Sequence, residues 1–370
     1  MNQKQLAQAL LIISTISAIF AWFGNIIIAV PFGLMFSILI PGTLIYLGFW
    51  RNLSISWSSL AYIVGLGVSF LMFGGLAINS IGRASGIAHP LTEGMLTAGI
   101  ILATIVLSST YKRWWESPLS YTPILHIREQ KTVIAVSLLT LLGYIAGALR
   151  LNNNASVTIG LISYLVTPIL FIYMLIRSKT LKPGVIVFTL WMLGLGILLS
   201  GSLRSVHVSG PDISLEYAIS QAVKNVGYWN INTFKNGYNA CLSIGILAPS
   251  LSLLTKLSVA LVYKLLIPIM YTLIVPVVYL ISRNFLSVKG ALITAFFFIS
   301  QPVFVVWWWI PERQQIAFLL FSLLVLMIVD NVPKSRSRHL MFLFLAAGLI
   351  VSHYSTASLA IGYLFLALVL

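Results

Sequence analysis

The chain has 370 residues, of which 59% are apolar (AVILMFWYC) and only 8% charged, and 22 Lys and Arg against 7 Asp and Glu give a net charge of +15. A soluble domain carries about 45–50% apolar and roughly 25% charged residues, so this composition excludes a water-soluble globule, and it is the opposite of a disordered chain. What remains is an all-α fold: a polytopic transmembrane helix bundle whose positive charge marks cytoplasmic loops rather than a nucleic-acid partner.

The first residues, Met1 to Lys4 followed by an apolar run, have the outline of a signal peptide. No small-residue cleavage site leads into a polar domain, so a retained first helix is expected. Charge-free gaps then predict spans at 6–23 and 26–50, parted at Gly24 and Asn25. Further spans are predicted at 60–79, 91–111, 132–149, 157–176 and 184–203. After a long polar interval come 257–282, 290–309, 314–329, 340–352 and 358–370. That makes about twelve spans near the ~20 residues a bilayer needs, the last three being short. The chain stops inside the apolar run 357–370 with no polar tail, from which a longer natural chain is expected.

A cytoplasmic N-terminus places 14 of the 22 basic residues inside, among them Arg51, Lys112, Arg113, Lys131, Arg283 and Lys334, with the acids Glu116, Glu129 and Asp330. Glu93, Asp212, Glu216 and Glu312 fall on the outer side or in the membrane. The Lys/Arg bias of short loops supports this orientation. Trp114 and Trp115 read as headgroup anchors. The triplet Asn154, Ala155, Ser156 is a glycosylation sequon in an expected outer loop, a pattern common by chance.

The largest interval on the outer side, 204–256, divides the chain into an N-terminal part (1–203, about seven spans), an outer loop and a C-terminal part (257–370, about five spans). The single cysteine, Cys241, excludes a disulfide framework and a Cys-based zinc site. No strong internal repeat is visible, which weakens a secondary-transporter reading; no Gly-rich phosphate loop, HExxH or GxSxG occurs, which disfavours a nucleotide-dependent reaction.

Four stretches can carry chemistry. The run SGPDISLEY (209–217) starts a helix: Ser209 or Gly210 as cap, Pro211 in the first turn. Asp212 and Glu216 are i, i+4 neighbours, and Leu215, Ile219, Ala222, Val223 and Val226 form an apolar stripe. This predicts an amphipathic helix on the membrane surface with two carboxylates at the outer rim; the plainer alternative is that the acids only complement the helix dipole. Lys264 stands about two turns inside an apolar span, where an unpaired lysine costs ~2.5–3.5 kcal/mol. It either snorkels to the headgroups or contacts a lipid-linked phosphate. Trp307, Trp308 and Trp309 mark an interface belt before Glu312 and Arg313. That pair is either a helix-entry charge pair or a bidentate phosphate contact through Arg313. His353 and Tyr354, in SHYST (352–356), sit at an expected outer turn, where His353 is a polar turn residue or binds a metal or sugar hydroxyl.

These stretches, in this order, resemble the GT-C superfamily of polytopic membrane glycosyltransferases, especially archaeal proteins related to dolichyl-phosphate-mannose–protein mannosyltransferases. The resemblance spans about 203–370 and rests on GPDISLEY (210–217), NACLSIGILAP (239–249), YKLLIP (263–268), SQP (300–302), ERQQIA (312–317) and SHYST (352–356). PFGLMFSILIPG (31–42) is also similar to such archaeal sequences. The resemblance implies sugar transfer from a polyprenyl- or dolichyl-phosphate donor to a hydroxyl of a glycan, lipid or protein acceptor at the outer face of the cell membrane, with inversion. It implies a catalytic acid in an outer loop, matched by Asp212 with Glu216 as second acid. Lys264, Arg313 and Glu312 then fall to the donor phosphate, and His353 and Tyr354 to the acceptor or to a divalent metal such as Mg or Mn. In the family that loop usually follows the first span and adjacent acids are common; here seven spans precede it and the acids are four apart. The competing classes are a polytopic transporter or permease, which predicts ionisable groups near the midplane and paired discontinuous helices, and a structural membrane subunit.

Overall fold

The computed structural model describes residues 3–49, 56–110, 127–233, 236–307, 309–310, 312–330 and 336–369. The expected anchors Trp114 and Trp115, the expected cytoplasmic residues Arg51, Lys112, Arg113, Glu116 and Lys334, and Trp308 of the belt lie outside the described residues. Among those described there is no strand.

Helices α1 (Gln3–Phe23) and α2 (Ile26–Phe49) meet at the expected break. Asn25 makes the break: its side-chain oxygen accepts the N–H groups of Ile27 (3.1 Å) and Ile28 (3.2 Å), capping α2. α3 (Trp57–Ala84) starts with a reciprocal Ser56/Ser59 capping box. α4 (Glu93–Thr110), α5 (Ile127–Asn152), α6 (Thr158–Ile176) and α7 (Pro183–Ser202) follow, α7 opening on a proline that has no N–H to orphan. Then come α8 (Pro211–Val226), α9 (Ser243–Thr255), α10 (Val259–Arg283), α11 (Val288–Ile299), α12 (Glu312–Val329), α13 (Arg336–Ser352) and α14 (Tyr354–Val369).

Among the described residues eight helices, α1, α2, α3, α5, α6, α7, α10 and α12, are long and apolar enough to cross a membrane, the signature of a multi-pass membrane protein. The expected spans 91–111, 290–309, 340–352 and 358–370 form helices that fall short of that length. The span at 290–309 ends early for a local reason. Pro302 has no N–H to continue the ladder, so α11 stops at Ile299 and the chain resumes in a π-helical turn, Val303–Trp307.

The interval 204–256 is not a simple loop. Besides α8 it contains α9, which the sequence reading did not separate from the loop. Leu242, Ile244, Ile246, Leu247, Leu251 and Leu254 are all buried there. Ser243, Ser250, Ser252 and Pro249 give the segment a loop-like composition, but two of the serine hydroxyls find backbone partners, Ser243 Oγ donating across to the Ser352 carbonyl and Ser252 Oγ locally to that of Leu257.

The largest core cluster joins α2, α3, α9, α10, α12 and α13; a second joins α5, α7, α10 and α11, so α10 belongs to both. Bundles in lipid are held by close packing rather than by expulsion of water. Two glycines permit it here. A Cβ on Gly67 would lie 2.2 Å from the Ile38 carbonyl oxygen, and one on Gly33 would lie 2.3 Å from that of Leu254. Thus α2 touches α3 and α9 backbone to backbone.

Gly67→Val should therefore force α2 from α3 and cost about 1–3 kcal/mol, seen as a lower melting temperature after detergent extraction. Gly74→Val is the control: its nearest neighbour, Phe70 Cζ, is 3.9 Å from the added carbon, and the shift should be small.

Candidate functional site

The site is built on α8. Gly210 takes φ +136°, a conformation that suits glycine, and Pro211 starts the helix, placing Asp212 in its first turn. The buried face of α8 carries Ile213, Glu216, Ile219, Ser220 and Val223. This corrects the expected stripe: Leu215 and Val226 are exposed, and Glu216 lies in the middle of the buried face rather than at the rim. Ser220 fixes that face, its hydroxyl meeting the Tyr263 hydroxyl at 2.8 Å and donating to the Ile244 carbonyl at 2.8 Å. The C-terminal end is tied down too. Gly227 closes the helix at φ +74°, its carbonyl accepts the Leu91 N–H, and the Asn79 amide exchanges two bonds with the backbone of Trp229.

Arg313, in the first turn of α12, is what α8 encloses. Its Nη2 is 3.1 Å from Asp212 Oδ2 and its Nη1 is 3.4 Å from Glu216 Oε1. Its guanidinium lies 3.4 Å from the ring centre of Tyr238 and 6.0 Å from that of Tyr354. Glu216 Oε2 accepts the Glu312 N–H at 3.0 Å, so the same carboxylate caps the positive end of α12. The Glu312 side chain is buried and neither of its oxygens has a hydrogen-bond partner among the described residues. Two carboxyl groups thus pair with one guanidinium, and a third, Glu312, is buried one residue before it. Only Asp212 reaches solvent: its side chain is 41% exposed, against 0% for Glu216.

Burial pushes the Glu216 carboxyl up from 4.5 to about 7, against the opposing pull of Arg313 and of the backbone N–H groups. His353 is pushed the other way, to about 4, first by burial and then by the Arg313 charge, and so is neutral at pH 7. Its Nδ1 accepts the Thr356 N–H at 3.3 Å and meets the Thr356 hydroxyl at 2.7 Å, capping α14. Tyr354 is half-exposed beside it, the two rings 5.2 Å apart.

The structure therefore brings together Asp212, Glu216, Glu312 and Arg313, with His353 and Tyr354 at the edge. Lys264 is engaged elsewhere: its ammonium donates to the carbonyls of Ser205 and His207 (3.3 Å to the latter). Tyr238, which floors the guanidinium, was missed; its only signal was an aromatic inside the turn NGYN (236–239). Among the described residues no group of three or more His, Cys, Asp or Glu is arranged to hold a metal ion, and the Arg313 guanidinium lies against one oxygen each of Asp212 and Glu216.

The raised Glu216 value has a sign. The folded protein holds this proton more tightly than the unfolded chain, so the associated stability is complete below pH 4.5 and is lost as pH rises through about 7. Melting temperature should fall between about pH 4.5 and about pH 7 and level off above it, and Glu216→Gln should flatten that slope. An equal slope in both proteins would place the titration on another group.

A scan against protein-family models and searches of curated proteins and of solved structures found no match to this chain.

Proposed function

We propose that this chain is a membrane glycosyltransferase of the GT-C type, moving a sugar from a polyprenyl-phosphate donor to an acceptor hydroxyl, with Asp212 as general base. The observation that carries this reading is the position of Asp212. It is the one carboxylate of the cluster open to solvent; its Oδ2 is oriented by Arg313 and its Oδ1 has no partner among the described residues. Residues beside it are fixed by burial and hydrogen bonds, as a positioned base requires.

The chemistry balances without a nucleotide. The acceptor oxygen attacks the anomeric carbon as its proton passes to Asp212. The bond from that carbon to the phosphate oxygen breaks, and the lipid phosphate leaves with the electron pair. In-line attack inverts the anomeric centre. Cationic groups stabilise the leaving phosphate. Glu216 is in this account a positioning residue, since it holds Arg313 and caps α12.

With the N-terminus in the cytoplasm and seven crossings before it, the apolar helix α4 included, α8 falls on the outer side of the membrane. A transporter is the second reading, favoured by one observation: a buried Glu312 carboxyl without hydrogen-bond partners among the described residues, at the start of a span. It predicts proton-driven uptake into vesicles that Glu312→Gln abolishes.

Asp212→Asn should lower sugar transfer from a polyprenyl-phosphate donor by about 10²–10⁴-fold, with the folded protein still recovered at a somewhat lower melting temperature because Arg313 loses one of its charged partners. Full activity in that variant would remove Asp212 from the chemistry. Cysteines at the exposed positions Asn153 and Asn284 should label from opposite sides of the membrane, Asn153 from outside; Cys241 is buried and serves as the silent background. Labelling of both from one side would overturn the crossing count.

A further inference from the structure

The segment that leads into α8 borders a groove with no part in the reaction proposed above. α5, α6, α7 and the turn Val303–Trp307 enclose a cavity of about 370 Å³, and a second of about 260 Å³ adjoins it and reaches Ser209 and Gly210. Arg204, Val306 and Trp309 line both. The groove is apolar by construction. Its two tyrosine hydroxyls are satisfied within the protein, Tyr144 by Thr167 at 2.9 Å and Tyr164 by Ser200 at 2.7 Å. Leu151, Leu161 and Val306 are large exposed apolar side chains along its wall, a surface suited to hydrocarbon.

One end of this groove is charged. The Arg204 guanidinium stacks 4.4 Å from the Trp309 ring. Gly201 makes room for that ring, since a Cβ there would lie 2.3 Å from Trp309 Cδ1. Arg204 is the cation that lines the groove, and others among the described residues are already engaged. Lys264 donates to two carbonyls, Arg313 to carboxylates, Lys224 to Ser252 and Lys256 to the carbonyls of Trp22 and Gly24. Among the described residues Arg204 has neither a carboxylate nor a carbonyl partner. A guanidinium held flat by a ring keeps its edge donors free, and that edge matches a phosphate.

We propose that this groove binds a lipid phosphate, the phosphate on Arg204 and the chain between α5, α6 and α7. Naming that lipid as the polyprenyl-phosphate donor rests on the glycosyltransferase reading. Gly210, which lines the headgroup end, is two residues from Asp212, so a sugar on the phosphate would be delivered to the base. The donor phosphate thereby moves from Lys264 and Arg313, which sequence alone suggests, to Arg204.

The test measures binding apart from catalysis. The Asp212→Asn protein is placed in phosphatidylcholine nanodiscs with a diazirine-bearing polyprenyl phosphate and irradiated. Labelled peptides should come from α5, α6 or residues 303–310. Arg204→Gln should weaken the concentration dependence of labelling by about 10- to 100-fold, the range of a charge-assisted hydrogen bond. Val306→Trp, which narrows the passage between the two cavities, should also lower it. Unlabelled polyprenyl phosphate should compete, while polyprenol and phosphatidylglycerol should not. Labelling that survives both variants overturns the site, as does equal competition by polyprenol or by phosphatidylglycerol. The two ideas fail separately. Arg204-dependent labelling together with full transfer by Asp212→Asn would keep the lipid site and remove the proposed base. Arg204-independent labelling with Asp212-dependent transfer would do the reverse.

Discussion

A guanidinium buried among carboxyl groups is the constraint on which this end of the bundle depends. Arg313 has a side chain only 3% exposed, and a lone cation there would face a desolvation cost of several kcal/mol. The protein meets that cost from three directions. α8 contributes Asp212 and Glu216, the turn Gly237–Ala240 contributes the Tyr238 ring, and α12 contributes the helix that Glu216 caps. None of these can shift alone. Moving α8 would uncover Arg313, and moving α12 would strip Glu216 of its cation and its N–H donor together. The cluster therefore fixes the angle at which α8 lies against the bundle, and with it the place where Asp212 emerges.

A second set of bonds delivers the chain to that point. Pro268 has no N–H, so the Lys264 carbonyl, four residues earlier, loses its usual helical partner. The helix widens into a π turn over Val262–Leu266, and Ser202 Oγ donates to the freed carbonyl at 2.8 Å. The Lys264 ammonium reaches out from the same turn to the carbonyls of Ser205 and His207. One residue thus stitches the end of α7 and the segment after it onto α10. That segment leads through Arg204 and Gly210 into α8. A lysine in an apolar span carries its cost here by donating to the backbone oxygens of Ser205 and His207.

Much of the fold was legible because hydrophobic length is a robust signal. The break at Gly24 and Asn25, and the helices α2, α6, α7 and α10, lie within a few residues of their expected limits. What escaped was local. α9 is short and serine-rich, and its apolar residues point in all directions because it is buried all round, so it has neither the length of a span nor the periodicity of a surface helix. In the site, Asp212, Glu216, Glu312 and Arg313 were all picked out, because charges are rare in such a chain. Their grouping was not. Asp212 and Arg313 are 101 residues apart, and no spacing rule connects them. The same blindness made Lys264 look like a free cation: sequence reveals a charge in an apolar run but not the carbonyls that surround it.

The two acids of α8 illustrate why spacing alone could not divide their roles. Four residues apart, they share one helix and one cationic partner, and a helical wheel gives them nearly the same face. Their surroundings differ in what replaces water. Around Glu216 the replacement is protein: the Glu312 N–H, the Arg313 guanidinium and the apolar side chains of Ile213 and Ile219. Such a carboxyl is committed, since any proton it releases must be balanced inside the bundle. Around Asp212 half the surroundings remain solvent, so one oxygen can be held by Arg313 while the other meets whatever arrives from outside. A general base, the role proposed for Asp212, needs that access, and a group that holds a helix in place needs its absence. The rotation of α8 by a fraction of a turn, set by Arg313, is enough to give one acid each condition.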